Sequence, residues 1–207
     1  MKNKIITINR EFGSGGREVG KRLADVLQIP YYDSEIVTQI AQRTQFAEDY
    51  VRSVTENGTY IPFPITIGRS FYPSVNQYMT QTNSIYLEQS KILAELAEKS
   101  DCIIVGRCAN HVLLEYDPLR IFIYAEMDYK VKRCRNNAPE HENMTNKQLI
   151  QRISGLDKDR ASYYKFVTGT KWDNRTNYDL CINTTYVPIK QVAGIVAQLA
   201  HSLLENG

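Results

Sequence analysis

The sequence predicts an α/β protein, a parallel sheet with helices on both faces, on three observations. Five short apolar runs recur along the chain, stretches of helical periodicity separate them, and a glycine-rich turn joins the first run to the first helix. The runs are Ile5 to Ile8, Ile29 to Tyr32, Cys102 to Val105, Arg120 to Tyr124 and Tyr178 to Ile182, each expected to be a strand buried on both faces. After the first run, Val19, Leu23, Val26 and Leu27 repeat with helical spacing. Ile85, Ile92, Leu93 and Leu96 do so before the third. Val192, Ile195, Val196, Leu199 and Leu203 predict a helix near the C-terminus. No internal repeat or linker divides the 207 residues, so residues 1–207 are expected to form one domain.

The bulk properties exclude several classes. With 25 Lys and Arg against 23 Asp and Glu, the net charge of +2 gives no basis for nucleic acid as a partner. The apolar stretch after Met1-Lys-Asn-Lys is too short for a secretory core or a membrane span, which leads us to expect a cytoplasmic protein with no membrane partner. Cys102, Cys108, Cys134 and Cys181 have no metal-ligand spacing and are expected to be reduced, mostly buried thiols. His111, His141 and His201 suggest neither a metal site nor a proton relay.

Two segments break the strand-helix rhythm. Asn57 to Asn83 holds one charged residue, Arg69, with Tyr60, Phe63, Phe71, Tyr72, Tyr78 and three prolines, the composition of an insertion that folds over something. It fits a substrate lid, an aromatic plug over the core, or a subunit contact such as that of a homodimer. Asp128 to Lys165 carries nine basic residues against five acids and is more positive than the chain as a whole. A solvated helical face and a cluster closing on phosphates both fit this segment.

The chemistry concentrates in Arg10-Glu-Phe-Gly-Ser-Gly-Gly-Arg-Glu18, between the first strand and its helix. Glycines at such a turn let backbone N–H groups approach an anion, and the helix N-terminus adds the positive end of its dipole. The run from Gly15 to Lys21 matches a G-x-x-x-x-G-K pattern, with Arg22 where Ser or Thr would stand. The helical repeat places Lys21 inside the helix, however, more than a turn past the glycines. Counting from the strand end puts Gly16 at the position of the loop lysine, Arg17 next, and Glu18 at the magnesium-ligating hydroxyl. Arg17 is then the expected phosphate cation.

Together with this loop, Ile29-Pro-Tyr-Tyr-Asp33, Ile104-Val-Gly-Arg107-Cys, Asp157-Lys-Asp-Arg-Ala-Ser-Tyr-Tyr164, Thr168-Gly-Thr-Lys-Trp172 and Asn177 to Thr184 resemble the cytidylate kinase-like family of P-loop proteins. The resemblance implies a three-layer P-loop kinase fold with a five-stranded parallel sheet in order 2-3-1-4-5. It also implies an acceptor-binding insertion, residues 34–100, and a basic lid, residues 128–165. It assigns Gly13, Ser14, Gly15, Gly16, Arg17 and Glu18 to the phosphates of ATP, Glu18 also to Mg2+. Asp33, Arg107, Arg152 and Asp179 fall to the acceptor, and Arg17, Lys158 and Arg160 to the transferring phosphoryl group. Capping of the next helix by Asp33, and an ion pair between Arg107 and a nearby acid, are the structural alternatives.

Cytidylate kinases carry acids flanking the Gly-Arg of strand three, where this chain has Val105 and Cys108, and a different run after the aspartate, where Ser34, Glu35 and Gln39 stand. Cytosine specificity is therefore not carried over. The expected activity is ATP- and Mg2+-dependent phosphoryl transfer to a nucleoside monophosphate or similar small acceptor. The alternative is a non-catalytic nucleotide-binding or regulatory module built on the same loop.

Overall fold

The computed structural model describes residues 2–56, 75–137 and 143–205. In chain order the elements are β1 (Ile5–Arg10), α1 (Gly16–Leu27), β2 (Tyr31–Tyr32), α2 (Glu35–Thr44), α3 (Glu48–Glu56), α4 (Val75–Lys99) and β3 (Cys102–Val105). There follow α5 (Ala109–Val112), β4 (Leu119–Tyr124), α6 (Met127–Asn137), α7 (Asn146–Thr168), β5 (Leu180–Asn183) and α8 (Ile189–Glu205). The aromatic segment expected at 57–83 lies outside the described residues up to 74, and residues 75–83 begin α4.

The five strands form one parallel sheet in the expected order, β2-β3-β1-β4-β5. Ile8 pairs with Val105, Arg10 with Ile123, and Tyr124 with Asn183, so the C-terminal ends of the strands reach one edge together. Alternation along the strands divides the core between the two faces. Ile6, Ile8, Ile103, Val105, Ile121 and Ile123 pack against Val19 and Leu23 of α1 and Val192 and Val196 of α8. Ile5, Cys102, Ile104 and Phe122 pack on the other face with α2, α4, α5 and the aromatic group Tyr163, Tyr164, Trp172 and Tyr178.

Three details differ from the sequence reading. β2 has two residues and β5 is half exposed, because both are edge strands with a neighbour on one side. Val26 and Ile195, assigned to apolar stripes, are 56% and 62% exposed, since the sheet and the α1–α8 contact cover narrower arcs of those helices. Three cysteines are buried as expected, and Cys181 is exposed on the β5 edge.

α7 is the element that connects the parts. Its 23 residues span about 35 Å. Thr145 and Gln148 form a reciprocal capping box at its start. Leu149 and Ile153 join Val131 and Cys134 of α6 in a small separate core with Phe12 against it, whereas Tyr163 and Tyr164 belong to the main core. Asp157 and Arg160 fall between these two anchored stretches, over the C-terminal edge of the sheet.

Candidate active site

The turn between β1 and α1 is fixed from three sides. The Glu11 N–H continues the sheet pattern to the Ile123 carbonyl at 2.9 Å. The Ser14 hydroxyl donates back to the Glu11 carbonyl at 2.8 Å, and the Ser14 carbonyl accepts from Thr184 Oγ1 beyond β5 at 2.6 Å. Gly15 caps α1 in the left-handed region, φ 87°, where a Cβ would stand 2.6 Å from Ile189 Cδ1. Conformation and space both call for glycine there. The loop thus presents the first-turn N–H groups of α1, which have no partner within the helix, to a cavity of about 200 Å3.

That cavity is walled by Glu11 to Gly13, Gly15 to Glu18, and three further arginines, Arg10, Arg133 and Arg160. A second space of about 30 Å3 adjoins it, large enough for about two waters, between Arg10, Thr55, Glu56, Gly106, Arg107, Arg160 and the aromatic group. Five arginines and three glutamates line the two spaces, and Arg10 and Arg160 line both. The site is an arginine-rich junction with a small excess of positive charge at the C-terminal ends of parallel strands, where open α/β sheets bind ligands.

The chain's own carboxylates occupy much of this cationic surface. Asp33, 4% exposed after β2, accepts from Arg17 Nε, from Arg10 at 3.3 Å and from the Tyr31 hydroxyl at 3.4 Å. Burial pushes its carboxyl up, but Arg10 and Arg17 outweigh burial and hold it below the usual range. Glu56, at the end of α3, accepts from Arg107 at 2.5 Å and is held low in the same way against its desolvation. Glu18 is shared by Arg133 at 2.5 Å and Arg22 at 2.8 Å, which likewise outweigh its desolvation and hold it low. For Arg10 and Arg160 the balance reverses, whereas at Arg17 burial is outweighed by Asp33, which raises it. Burial, and then Arg160, pull the Arg10 guanidinium down to about 9, and burial lowers Arg160 despite Asp157.

The residues expected at the site divide into two groups. Gly13, Gly15, Gly16, Arg17, Glu18, Arg107 and Arg160 line the two spaces, Ser14 is buried beneath the loop, and Asp33 lines neither space but bonds to Arg10 and Arg17, which do. Asp33 does not cap α2 with its side chain. Arg107 does pair with an acid, Glu56, and also donates to Thr55 at 2.7 Å. Its Nε is buried without a hydrogen-bond partner among the described residues. Lys158 and Arg152 are exposed on α7 and line neither space, and Lys21 is exposed on α1.

Asp179 is elsewhere. It precedes β5 at the N-terminal edge of the sheet and is held by Arg120 at 2.6 and 3.1 Å. β5 runs four residues from there, about 13 Å, before it reaches the cationic edge. Expected beside the acceptor, Asp179 instead locks the start of β5 to β4, because the motif that contains it crosses the sheet.

The sequence pattern does not single out Arg10, Arg133 and Glu56 as site residues. Arg133 was submerged in a charge run, and Glu56 meets Arg107 across 51 positions of sequence. Lys130 and Asp157 form a further buried group with Glu11. Lys130 Nζ reaches Glu11 at 3.1 Å and Asp157 at 3.0 Å. Asp157 also accepts from the Phe12 N–H at 2.6 Å.

A family model described as the cytidylate kinase-like family matches residues 5–186. The chain belongs to that family. No curated protein matches this cytidylate kinase-like chain by sequence. Among solved structures it is similar to an uncharacterized protein from Eubacterium ventriosum, with 26% identity, TM-score 0.67, and coverage of 96% of this chain and 99% of that one. It is also similar to a shikimate kinase from Bacteroides thetaiotaomicron, at 17% identity and TM-score 0.56 over 98% of both chains. A gluconokinase from Sinorhizobium meliloti matches at 13% identity and TM-score 0.54, over 100% of this chain and 98% of that one. The last two establish for this family member the fold alone, that of P-loop kinases. No helix among the described residues is long and apolar enough to cross a membrane.

Proposed function

We propose that this cytidylate kinase-like protein is an ATP- and Mg2+-dependent phosphotransferase acting on a nucleoside monophosphate or a similarly small acceptor. The observation that carries this reading is the pair of adjoining spaces that share Arg10 and Arg160 at the strand ends. One has glycines, a helix N-terminus and guanidiniums, a cradle suited to a polyphosphate. The other, lined by Arg107 and closed down by Glu56, would take an acceptor once it opens.

The residues present fit these groups. The α1 N–H groups, Arg17, Arg133 and Arg160 supply donors for phosphate oxygens, and guanidiniums neutralise charge that spreads over a transferring phosphoryl group. Glu18 offers one carboxylate to the cavity, enough for a magnesium ion that takes its other ligands from phosphate and water. When bound, that ion would shield the charge of the phosphate oxygens. Segments 34–100 and 128–165 serve in this reading as acceptor cover and lid, and Glu56 must leave Arg107 before an anionic acceptor can enter.

The test is ADP formation from ATP and Mg2+ against a panel of ribo- and deoxyribonucleoside monophosphates and small hydroxyl acceptors. Acceptor-dependent turnover supports the reading. Saturable ATP binding with no turnover on any acceptor supports the second reading, a nucleotide-binding module. The absence of a lysine at position 16 favours that alternative.

A further inference from the structure

We propose that Arg10 grips the terminal phosphate of the bound nucleoside triphosphate, in the space that a lysine side chain at position 16 would otherwise occupy. The inference rests on the phosphotransferase reading and names a residue for it. Arg10 is the last residue of β1, six positions before Gly16. A Cβ built on Gly16 would run into the Cβ of Arg10 and lie 3.0 Å from its Cγ, so the volume above residue 16 belongs to the Arg10 side chain. Farther out, a Cβ on Gly106 would run into Arg10 Nη1. The side chain therefore threads between two glycines, from the loop toward the end of β3.

Its position singles it out. A phosphoryl group passing from donor to acceptor must occupy the junction of the two spaces, and Arg10 and Arg160 line both. Arg160 is already engaged, donating to the Arg10 carbonyl at 3.2 Å, lying over the Phe12 ring at 5.6 Å and facing Asp157 at 3.6 Å. Arg10 has its carboxylate contact at 3.3 Å with Asp33, which Arg17 approaches more closely. Its side chain is 11% exposed and has Arg17, Arg107 and Arg160 as neighbours. A guanidinium buried among three others, with its one direct carboxylate shared with Arg17 and the nearby Glu56 bonded to Arg107, has little counter-charge of its own, and a terminal phosphate supplies it.

The experiment compares dissociation constants for Mg-ATP and Mg-ADP by calorimetry in the wild-type protein, Arg10→Gln, Arg10→Gly and the double variant Arg10→Gly/Gly16→Lys. Arg10→Gln is expected to weaken ATP at least tenfold and ADP less than threefold. The double variant is expected to regain a preference for ATP that Arg10→Gly alone loses, because the shortened residue 10 vacates the volume over residue 16. Should Arg10→Gln not fold, Arg10→Lys carries the same test, with at least a threefold loss of ATP preference expected from exchanging the fork for a single ammonium. A wild-type ATP preference that persists in Arg10→Gln, or in Arg10→Lys where that variant must stand in, overturns the assignment of Arg10 alone. A wild-type protein that binds neither nucleotide overturns the phosphotransferase reading and this inference with it.

Discussion

The Asp157 carboxylate accepts the backbone N–H of Phe12 at 2.6 Å, tying the middle of α7 to the loop between β1 and α1. Its other oxygen holds Lys130 of α6 at 3.0 Å. Helices from the basic segment are thus fastened to the backbone of the β1–α1 loop through one carboxylate. Replacing Asp157 with Ala leaves Lys130, 4% exposed, with Glu11 as its remaining acid and removes the carboxylate that accepts the Phe12 N–H. A loss of about 2–4 kcal/mol in unfolding free energy is expected. Denaturant unfolding checks it, and a change below about 1 kcal/mol would show that the tie contributes little.

Arg17 and Lys21 give opposed expectations for the loop register. Arg17 lines the larger cavity and bonds to Asp33, while Lys21 is exposed on α1 and lines neither space. Turnover is expected to fall roughly 100-fold or more in Arg17→Ala, in line with removal of one donor from a charged transition state. Lys21→Ala is expected to stay within about twofold of wild type. The reverse pattern in steady-state kinetics would restore the G-x-x-x-x-G-K register.

Asp33 makes stability depend on pH with a definite sign. Its folded pKa lies below the unfolded value, so its contribution is present above about pH 4 and is lost as the pH falls through the lowered folded value. Asp33→Asn is expected to cost about 2–3 kcal/mol at neutral pH, less than a wholly buried pair because the Arg17 side chain is 58% exposed. The difference between variant and wild type should then shrink on acidification below pH 4. Melting curves from pH 7 to pH 3 read this, and a constant difference would remove Asp33 as its source.

At Gly15, an alanine would adopt a left-handed conformation that L residues disfavour by about 1–2 kcal/mol, and its Cβ would press on the end of Ile189. Since that neighbour is a movable methyl, a total near 2 kcal/mol is expected, a fall of roughly 4–8 °C in Tm at this chain length. Thermal unfolding decides the point, an unchanged Tm counting against the geometry.

The sheet could be read from the sequence because its signal is local. Apolar runs such as Cys102 to Val105 can be buried in few ways, and here they coincide with a strand. The loop was legible for a similar reason, since glycines between a strand and a helix have few uses. What pairs with what was not legible. Glu56 meets Arg107, and Lys130 meets Glu11, across chain separations that carry no periodic trace. Asp179 followed its motif to the wrong edge of the sheet, because a motif specifies neighbours in sequence and not which end of a strand they occupy. Arg10 opens the loop pattern in the sequence, yet the role proposed for it depends on space left by Gly16 and Gly106, which only the folded backbone creates.

The carboxylates of Asp33, Glu56 and Glu18 already lie against the arginines of the junction. A phosphate entering as proposed would therefore exchange with covalently tethered counterions and release few dissolved ones. Affinity in an open cationic groove falls steeply with ionic strength because mobile ions are set free on binding. Here the competitor is the protein itself at a fixed local concentration, so ligand affinity should be buffered against the salt content of its surroundings.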